Sequence, residues 1–227
     1  MSKLPRGYTL VELLVGMTIG LVVLSSSLAL FAVNSQFGSR QLQSDFLRTQ
    51  LNMIANTLKV EISRAGFCYD CTSVNPFLQV DGAGDVSSIL IDDSASKSTA
   101  GSCIRFAYNH DKRIDALALD KDDAKGFRLG KDSDDNPVIE IYENYNGLAN
   151  WNCSSDSSNG GASGYWRDMT YERLSITSLA FTRQHHQGVA STNKNQVVEV
   201  SVTAALKADS SIQDTISFSI SVPNVDG

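Results

Sequence analysis

Residues 3–33 read KLPRGYTLVELLVGMTIGLVVLSSSLALFAV, and this stretch decides the fold. From Leu13 to Val33 it holds 21 consecutive residues without a charge, enough as a helix to cross a bilayer core about 30 Å thick. A cleaved secretory signal has a shorter apolar run, about 7 to 15 residues, so the stretch reads as a membrane-spanning helix. Lys3 and Arg6 precede it. By the positive-inside bias they put the N-terminus in the cytoplasm and everything after about Asn34 on the far side. Glu12 does not suit a plain anchor, because a carboxylate among Leu10, Val11, Leu13 and Leu14 is costly in lipid and such residues tend to have a function.

The string from Lys3 to Gly16, with its short basic leader, Gly7, Tyr8 and then an apolar run carrying Glu12 fifth after the Gly, resembles the processing signal of type IV pilins and type II secretion pseudopilins. The resemblance implies that a prepilin peptidase cuts between Gly7 and Tyr8 and N-methylates the new terminus at Tyr8, where the family often has Phe or Met. Residues 1–7 are then the leader. Their removal leaves 17 basic against 25 acidic residues, a net charge of −8 before the new amino group is counted. The resemblance also implies that Glu12 sets the axial register of assembly, since a buried carboxylate needs a positive partner and the amino terminus of a neighbouring subunit supplies one. Gly16 and Gly20 form a small-xxx-small pair that allows close helix approach.

Beyond Asn34 the pattern turns amphipathic. Leu47, Leu51, Ile54, Leu58 and Ile62 recur at helical spacing with Arg48, Gln50, Asn52, Lys59, Glu61 and Arg64 between them. No Pro interrupts the chain between Pro5 and Pro76, and Gly66 is a C-terminal stop signal. One helix is therefore expected from about Thr9 to about Ala65, roughly 85 Å long at the standard rise. It divides into a transmembrane and assembly half over 8–33 and an amphipathic half over 34–66, followed by a β-rich domain over 67–227.

Strands are expected at Val86–Ile91, Cys103–Tyr108, Val138–Tyr142, Leu174–Arg183, Gln196–Ala204 and Thr215–Val222. In the last, Ile216, Phe218, Ile220 and Val222 alternate with serines, the mark of one buried face. Loops are expected at 120–125, 131–136 and 154–164. The fold class is α+β, a long N-terminal helix packed on a mainly antiparallel sheet, which is also the architecture of type IV pilins.

Cys68, Cys71, Cys103 and Cys153 all follow the span, on the side where disulfides persist. Four cysteines allow three pairings, and spacing does not choose among them. Cys68-Tyr-Asp-Cys71 has the spacing of a redox pair, but such pairs work at helix N-termini and this one follows a helix end, so structural bridges are expected. The patches Ile62–Cys71, Ser102–Tyr108 and Asn152-Cys153 with Tyr165–Thr170 are similar to minor pilins of the PilW type and to the pseudopilin J group. Tyr108–Arg113 departs from the acidic segment usual there.

The chain has 227 residues, 42% hydrophobic and 19% charged, with a net charge of −6, which excludes wholesale disorder and argues against nucleic acid as the main partner. His185 and His186 are adjacent, so they read as a solvent-facing loop pair rather than metal ligands. Asp120–Asp123 and Asp132–Asp135 offer oxygen ligands but miss the twelve-residue calcium-loop pattern, and solvated turns are expected. Trp151 and Trp166 read as core residues, with an exposed binding patch as the rival. No Ser/His/Asp triad or Gly-rich phosphate loop is present, so neither an enzyme nor a cofactor is expected.

The resemblance implies a minor pilin that primes type IV pilus assembly near the tip. Its implied partners are the prepilin peptidase, other minor pilins, the major pilin, the inner-membrane assembly platform and, before assembly, membrane lipid. The alternatives are a minor pseudopilin of type II secretion and a membrane-anchored adhesin or DNA-uptake domain.

Overall fold

The computed structural model describes residues 7–71, 74–80, 86–93, 100–114, 116–143, 148, 150–155, 166–187 and 194–223. It divides into two units, Met1–Asp45 and Phe46–Gly227. A single helix, α1, runs Leu10–Ile62 through the division. Every described side chain of the first unit, from Gly7 to Asp45, is exposed, as expected of a helix that is apolar and unpartnered within its own chain. This helix is long and apolar enough to cross a membrane. Its hydroxyls suit lipid, because Thr18 donates to the Val15 carbonyl, Ser25 and Ser26 to Val22, and Ser27 to Val23. Each of these four hydroxyls is thereby satisfied inside the helix.

In the second unit α1 buries Leu47, Leu51, Ile54, Ala55, Leu58 and Ile62, the expected stripe with one alanine added. Each buried Leu or Ile contributes roughly 2 kcal/mol. The last helical residue is Ile62, a turn earlier than the Ala65 expected, and residues 63–66 form turns. Gly66 stops the helix with φ 72°, a conformation that costs a residue with a Cβ. Its N–H donates to the Ala107 carbonyl at 2.7 Å, so the end of the helix is fixed onto the sheet.

Among the described residues eleven strands follow: β1 Gln79–Val80, β2 Val86–Ser87, β3 Ile89–Ile91, β4 Ala100–Gly101, β5 Cys103–Ala107, β6 Ala124–Lys131, β7 Pro137–Glu143, β8 Trp166–Asp168, β9 Leu174–Gln187, β10 Lys194–Leu206 and β11 Asp209–Val222. They pair as a two-stranded ribbon β1-β2, a four-stranded sheet β11-β10-β9-β4 and a five-stranded sheet β3-β5-β6-β7-β8. Every pairing is antiparallel. The stripe of α1 shares one core with both larger sheets, through Ile104, Phe106, Phe127, Ile139, Phe181 and Val200 among others. A second cluster, with Phe77, Tyr142, Trp151 and Trp166, lies under the cysteines. Period-two geometry explains the split, since in β5 Ile104 and Phe106 join the first core while Cys103 and Ala107 join the second.

Five of the six expected strands are present, and the sixth, Val86–Ile91, is broken at Ser88 into β2, which pairs with β1, and β3, which joins the five-stranded sheet. β11 begins at Asp209 rather than Thr215, because the Lys207–Ala208 turn returns the chain directly against β10. In β11 the expected alternation holds: Ile216 and Phe218 are half-buried, Ile220 and Val222 buried, and the serines between them exposed. β1, β4, β6 and β8 lie outside the expected strands. β6 takes in Ala124 and Lys125 of the expected 120–125 loop, and Lys131 of the next. Most of the 154–164 loop lies outside the described residues.

Candidate functional site

The helix begins at Leu10, so Thr9 is its N-cap and Glu12 its third residue. Thr9 donates its N–H to Glu12 Oε2 at 2.9 Å and its hydroxyl to the same oxygen at 3.0 Å. In return the Glu12 N–H reaches Thr9 Oγ1 at 3.3 Å. This is a reciprocal capping box, which satisfies two of the donors that every helix start leaves unpaired. The positive end of the helix dipole favours the carboxylate at the same place. Its signal in the sequence is the Thr-x-x-Glu spacing of Thr9-Leu-Val-Glu12, which the expectation of a docking role for Glu12 did not include.

Both bonds fall on Oε2, and among the described residues Oε1 accepts none. Glu12 is exposed, one turn from Tyr8, which is 91% exposed. Gly7 and Tyr8 precede the helix in an irregular segment, the form in which a peptidase can take up a chain. A Cβ built on Gly16 or Gly20 meets nothing within 4 Å, so both leave an open notch on the apolar surface. The arrangement offers a negative oxygen, an exposed segment at Gly7–Tyr8 and a helix surface that admits close neighbours. Its capacity is for association.

The cysteines pair Cys68–Cys71 and Cys103–Cys153, one of the three possible connectivities. The first closes the loop after α1. The second ties the start of β5 to the turn at 150–155, which is held from several sides. Arg128 donates to the Cys153 and Ser155 carbonyls at 2.7 and 2.6 Å, and the Cys153 N–H donates to Asp93 at 2.6 Å. Arg128 itself pairs with buried Glu140 at 2.6 Å and lies 4.6 Å from the Trp166 ring centre.

Trp151 and Trp166 are 8% and 0% exposed, so neither forms a surface patch. Their indole N–H groups donate to the Lys125 and Asn152 carbonyls, both at 3.0 Å. His185 and His186 stand in β9 opposite Gln196 and Asn195, which corrects the expected loop. The acidic turns are bonded to the protein itself. Buried Asp123 accepts from Arg113 and from the His110 and Asp120 N–H groups. Asp132 accepts from Lys207 at 2.9 Å and from the Asp134 and Asn136 N–H groups. Both aspartates therefore organise turns rather than stand solvated.

A model of the prokaryotic N-terminal methylation motif matches residues 3–28. That of prepilin peptidase-dependent protein B matches residues 40–222. No curated protein and no solved structure matches the chain. The methylation motif covers the Thr9–Glu12 cap, the second match covers most of the helix–sheet unit, and the chain belongs to the prepilin peptidase-dependent protein B family of pilin-like proteins.

Proposed function

We propose that the protein is a minor pilin of the PilW type that primes type IV pilus assembly and sits at or near the pilus tip, working by subunit docking. One observation carries the reading. Within the methylation motif the chain has a single carboxylate, Glu12, held at the helix start and open on one oxygen. A charge so placed is stabilised when a neighbouring subunit brings an amino terminus to it. On this reading residues 1–7 are a leader cut between Gly7 and Tyr8, and Tyr8 carries the methylated amino group. The span over 8–33 rests in lipid until assembly, with residues 1–7 cytoplasmic and the domain over 67–227 periplasmic. The partners are other minor pilins, the major pilin and the inner-membrane assembly platform.

The test is the intact mass and N-terminal sequence of the protein purified from its host's membranes, together with a deletion phenotype. A chain starting at methylated Tyr8 and loss of surface pili with secretion intact are the expected results. An intact Met1 in cells with active peptidase overturns the processing. Normal pili with failed protein secretion would assign the chain to a type II secretion machine.

A further inference from the structure

Across β6, β7 and β8, Arg128, Glu140 and Asp168 stand opposite one another in one row, and so on one face of the five-stranded sheet. The row sets one cation against two carboxylates. Glu140 is fully buried and gives only Oε2 to Arg128, at 2.6 Å. Its other oxygen, Oε1, is buried with no hydrogen-bond partner among the described residues. A carboxylate oxygen left unpaired away from water is costly, so the position calls for a donor.

Backbone geometry points to Asp168 as the source. The Met169 N–H donates to the Ile139 carbonyl at 2.9 Å, which makes Ile139 and Met169 a hydrogen-bonded pair of the β7–β8 ladder. The next pair along, Glu140 and Asp168, is then a non-hydrogen-bonded one, the kind in which facing side chains lie closest. Tyr142 and Trp166 form the following pair of that kind, and their ring centres are 5.2 Å apart. With Oε2 taken on the β6 side, Oε1 is left to the β8 side, where Asp168 stands. Two like charges so placed repel, and one proton between them both removes the repulsion and supplies the missing donor.

The surroundings favour that proton. Desolvation, then the charges of Glu140 and Asp132, raise the Asp168 carboxyl above its ordinary value, and Lys207 opposes them. The same cleft is lined by Asp132 and Asp134 from the β6–β7 turn, Glu172 and Arg173 after β8, and Lys207 from the β10–β11 turn. Its cations and Arg128 behind it have other partners: Lys207 pairs with Asp132 at 2.9 Å, Arg173 lies 5.9 Å from the Phe46 ring centre, and Arg128 holds Glu140 and the 153 and 155 carbonyls. Asp168 itself is exposed, so its proton exchanges with water. The strand it belongs to is the edge of its sheet, three residues long, and carries the fully buried Trp166 of the second core cluster.

We propose that Glu140 and Asp168 are a proton-sharing pair that acts as an acid-closed latch on β8: in acid Asp168 keeps a proton and donates it to Glu140 Oε1, and its loss sets two carboxylates against each other and loosens the edge strand. A carboxyl whose folded value lies above its unfolded one, about 3.9, binds its proton more tightly in the native protein. The stability it contributes grows as pH falls through the folded value and fades as pH rises through it. Asp132, held low by Lys207, stays ionised over that range and does not contribute.

The test uses the full chain in detergent micelles. The Met169 amide, in the ladder bond beside the pair, reports the closure of β8 by hydrogen exchange, and the carbon-13 shifts of the Asp168 and Glu140 carboxyls report the proton. Between about pH 7 and about pH 4.5 the Met169 protection factor should rise at least about threefold as Asp168 titrates, with the Glu140 carboxyl shifting at the same midpoint. Asp168→Asn places an amide donor opposite Oε1 at every pH, so its Met169 protection at neutral pH should match the parent's in acid and no longer vary with pH. Asp168→Ala removes the repulsion but offers no donor, and at neutral pH should fall between the parent and the Asn variant. Equal protection in the Ala and Asn variants overturns the shared proton. So does an Asp168 carboxyl that titrates at or below the ordinary aspartate value, or Met169 exchange indifferent to pH in the parent chain, and neither of these measurements depends on a variant.

Discussion

The capping role of Glu12 and the docking role proposed for it separate by substitution. As a capping residue it needs only an acceptor for the Thr9 N–H, which an amide can supply. As a docking residue it needs charge. Glu12→Gln should therefore leave the protein in the membrane, with helix content unchanged, and yet reduce its crosslinking to other subunits as severely as Glu12→Ala does. Crosslinking restored by Gln would make the capping box the whole function of Glu12. A different kind of carboxylate effect operates at Asp132. The Lys207 ammonium, aided by the Asn136 and Asp134 donors, holds its carboxyl well below the usual carboxylate range. A depressed folded-state pKa contributes stability that is present above the unfolded value, about 3.9, and is lost as pH falls toward the folded one. Asp132→Asn should thus weaken the protein at neutral pH and flatten its acid limb below about pH 4 in a urea titration. A parallel shift of the whole pH profile would contradict that assignment. Tyr108 acts at the other extreme. Burial, reinforced by its 2.7 Å bond to Glu61, pushes the phenol up to about 12. The stability it contributes holds below about pH 10 and is lost as pH rises toward the folded value, so Tyr108→Phe should lose less stability across that range than the parent chain.

At the scale of elements, what local periodicity specifies was legible and what distant partners specify was not. The stripe of α1, the Gly66 stop and the alternation of β11 all lie in contiguous residues, and all three stand where their spacing places them. β6 was invisible because its burial depends on groups far along the chain. Arg128 is buried only since Glu140 and two carbonyls at 153 and 155 receive it. Gly126 and Gly130 look like loop residues, but they are strand residues that make room. A Cβ on Gly126 would lie 2.9 Å from the Trp166 ring, and one on Gly130 would overlap the Glu140 carboxylate. Gly130→Ala should therefore displace Glu140 from Arg128 and destabilise the protein by about 2 to 3 kcal/mol, the upper part of the range for overpacking, because a buried ion pair is disturbed as well. Urea unfolding of the full chain in micelles measures it; a loss under about 0.5 kcal/mol would show that the Glu140 side chain moves aside freely. In the candidate site the same division holds. Gly7, Tyr8 and Glu12 stand out in the sequence because a processing signal is a local pattern, whereas the cysteine pairing required the sheet.

For the whole molecule, the two disulfides differ in what they constrain. Cys68–Cys71 closes a separation of 3 residues and Cys103–Cys153 one of 50. In the chain-entropy account the short loop contributes about 2 kcal/mol and the long one about 4 kcal/mol, by restricting the unfolded chain. The native state widens this gap. Cys153 sits in the turn that receives Arg128 and Asp93, so releasing it loosens the acceptors of a buried cation as well as a crosslink. Cys68 and Cys71 are both half-exposed and join only the margin of their cluster. Cys103→Ser with Cys153→Ser should accordingly lower the urea midpoint of the full chain far more than Cys68→Ser with Cys71→Ser. The larger loss should come with increased exposure of Trp166, read as a red shift of its fluorescence, since Arg128 and the 152–155 turn cover that ring. Equal losses from the two pairs, or a shift of Trp166 from the short-loop variant alone, would place the structural weight of the domain at the helix end instead of at the turn.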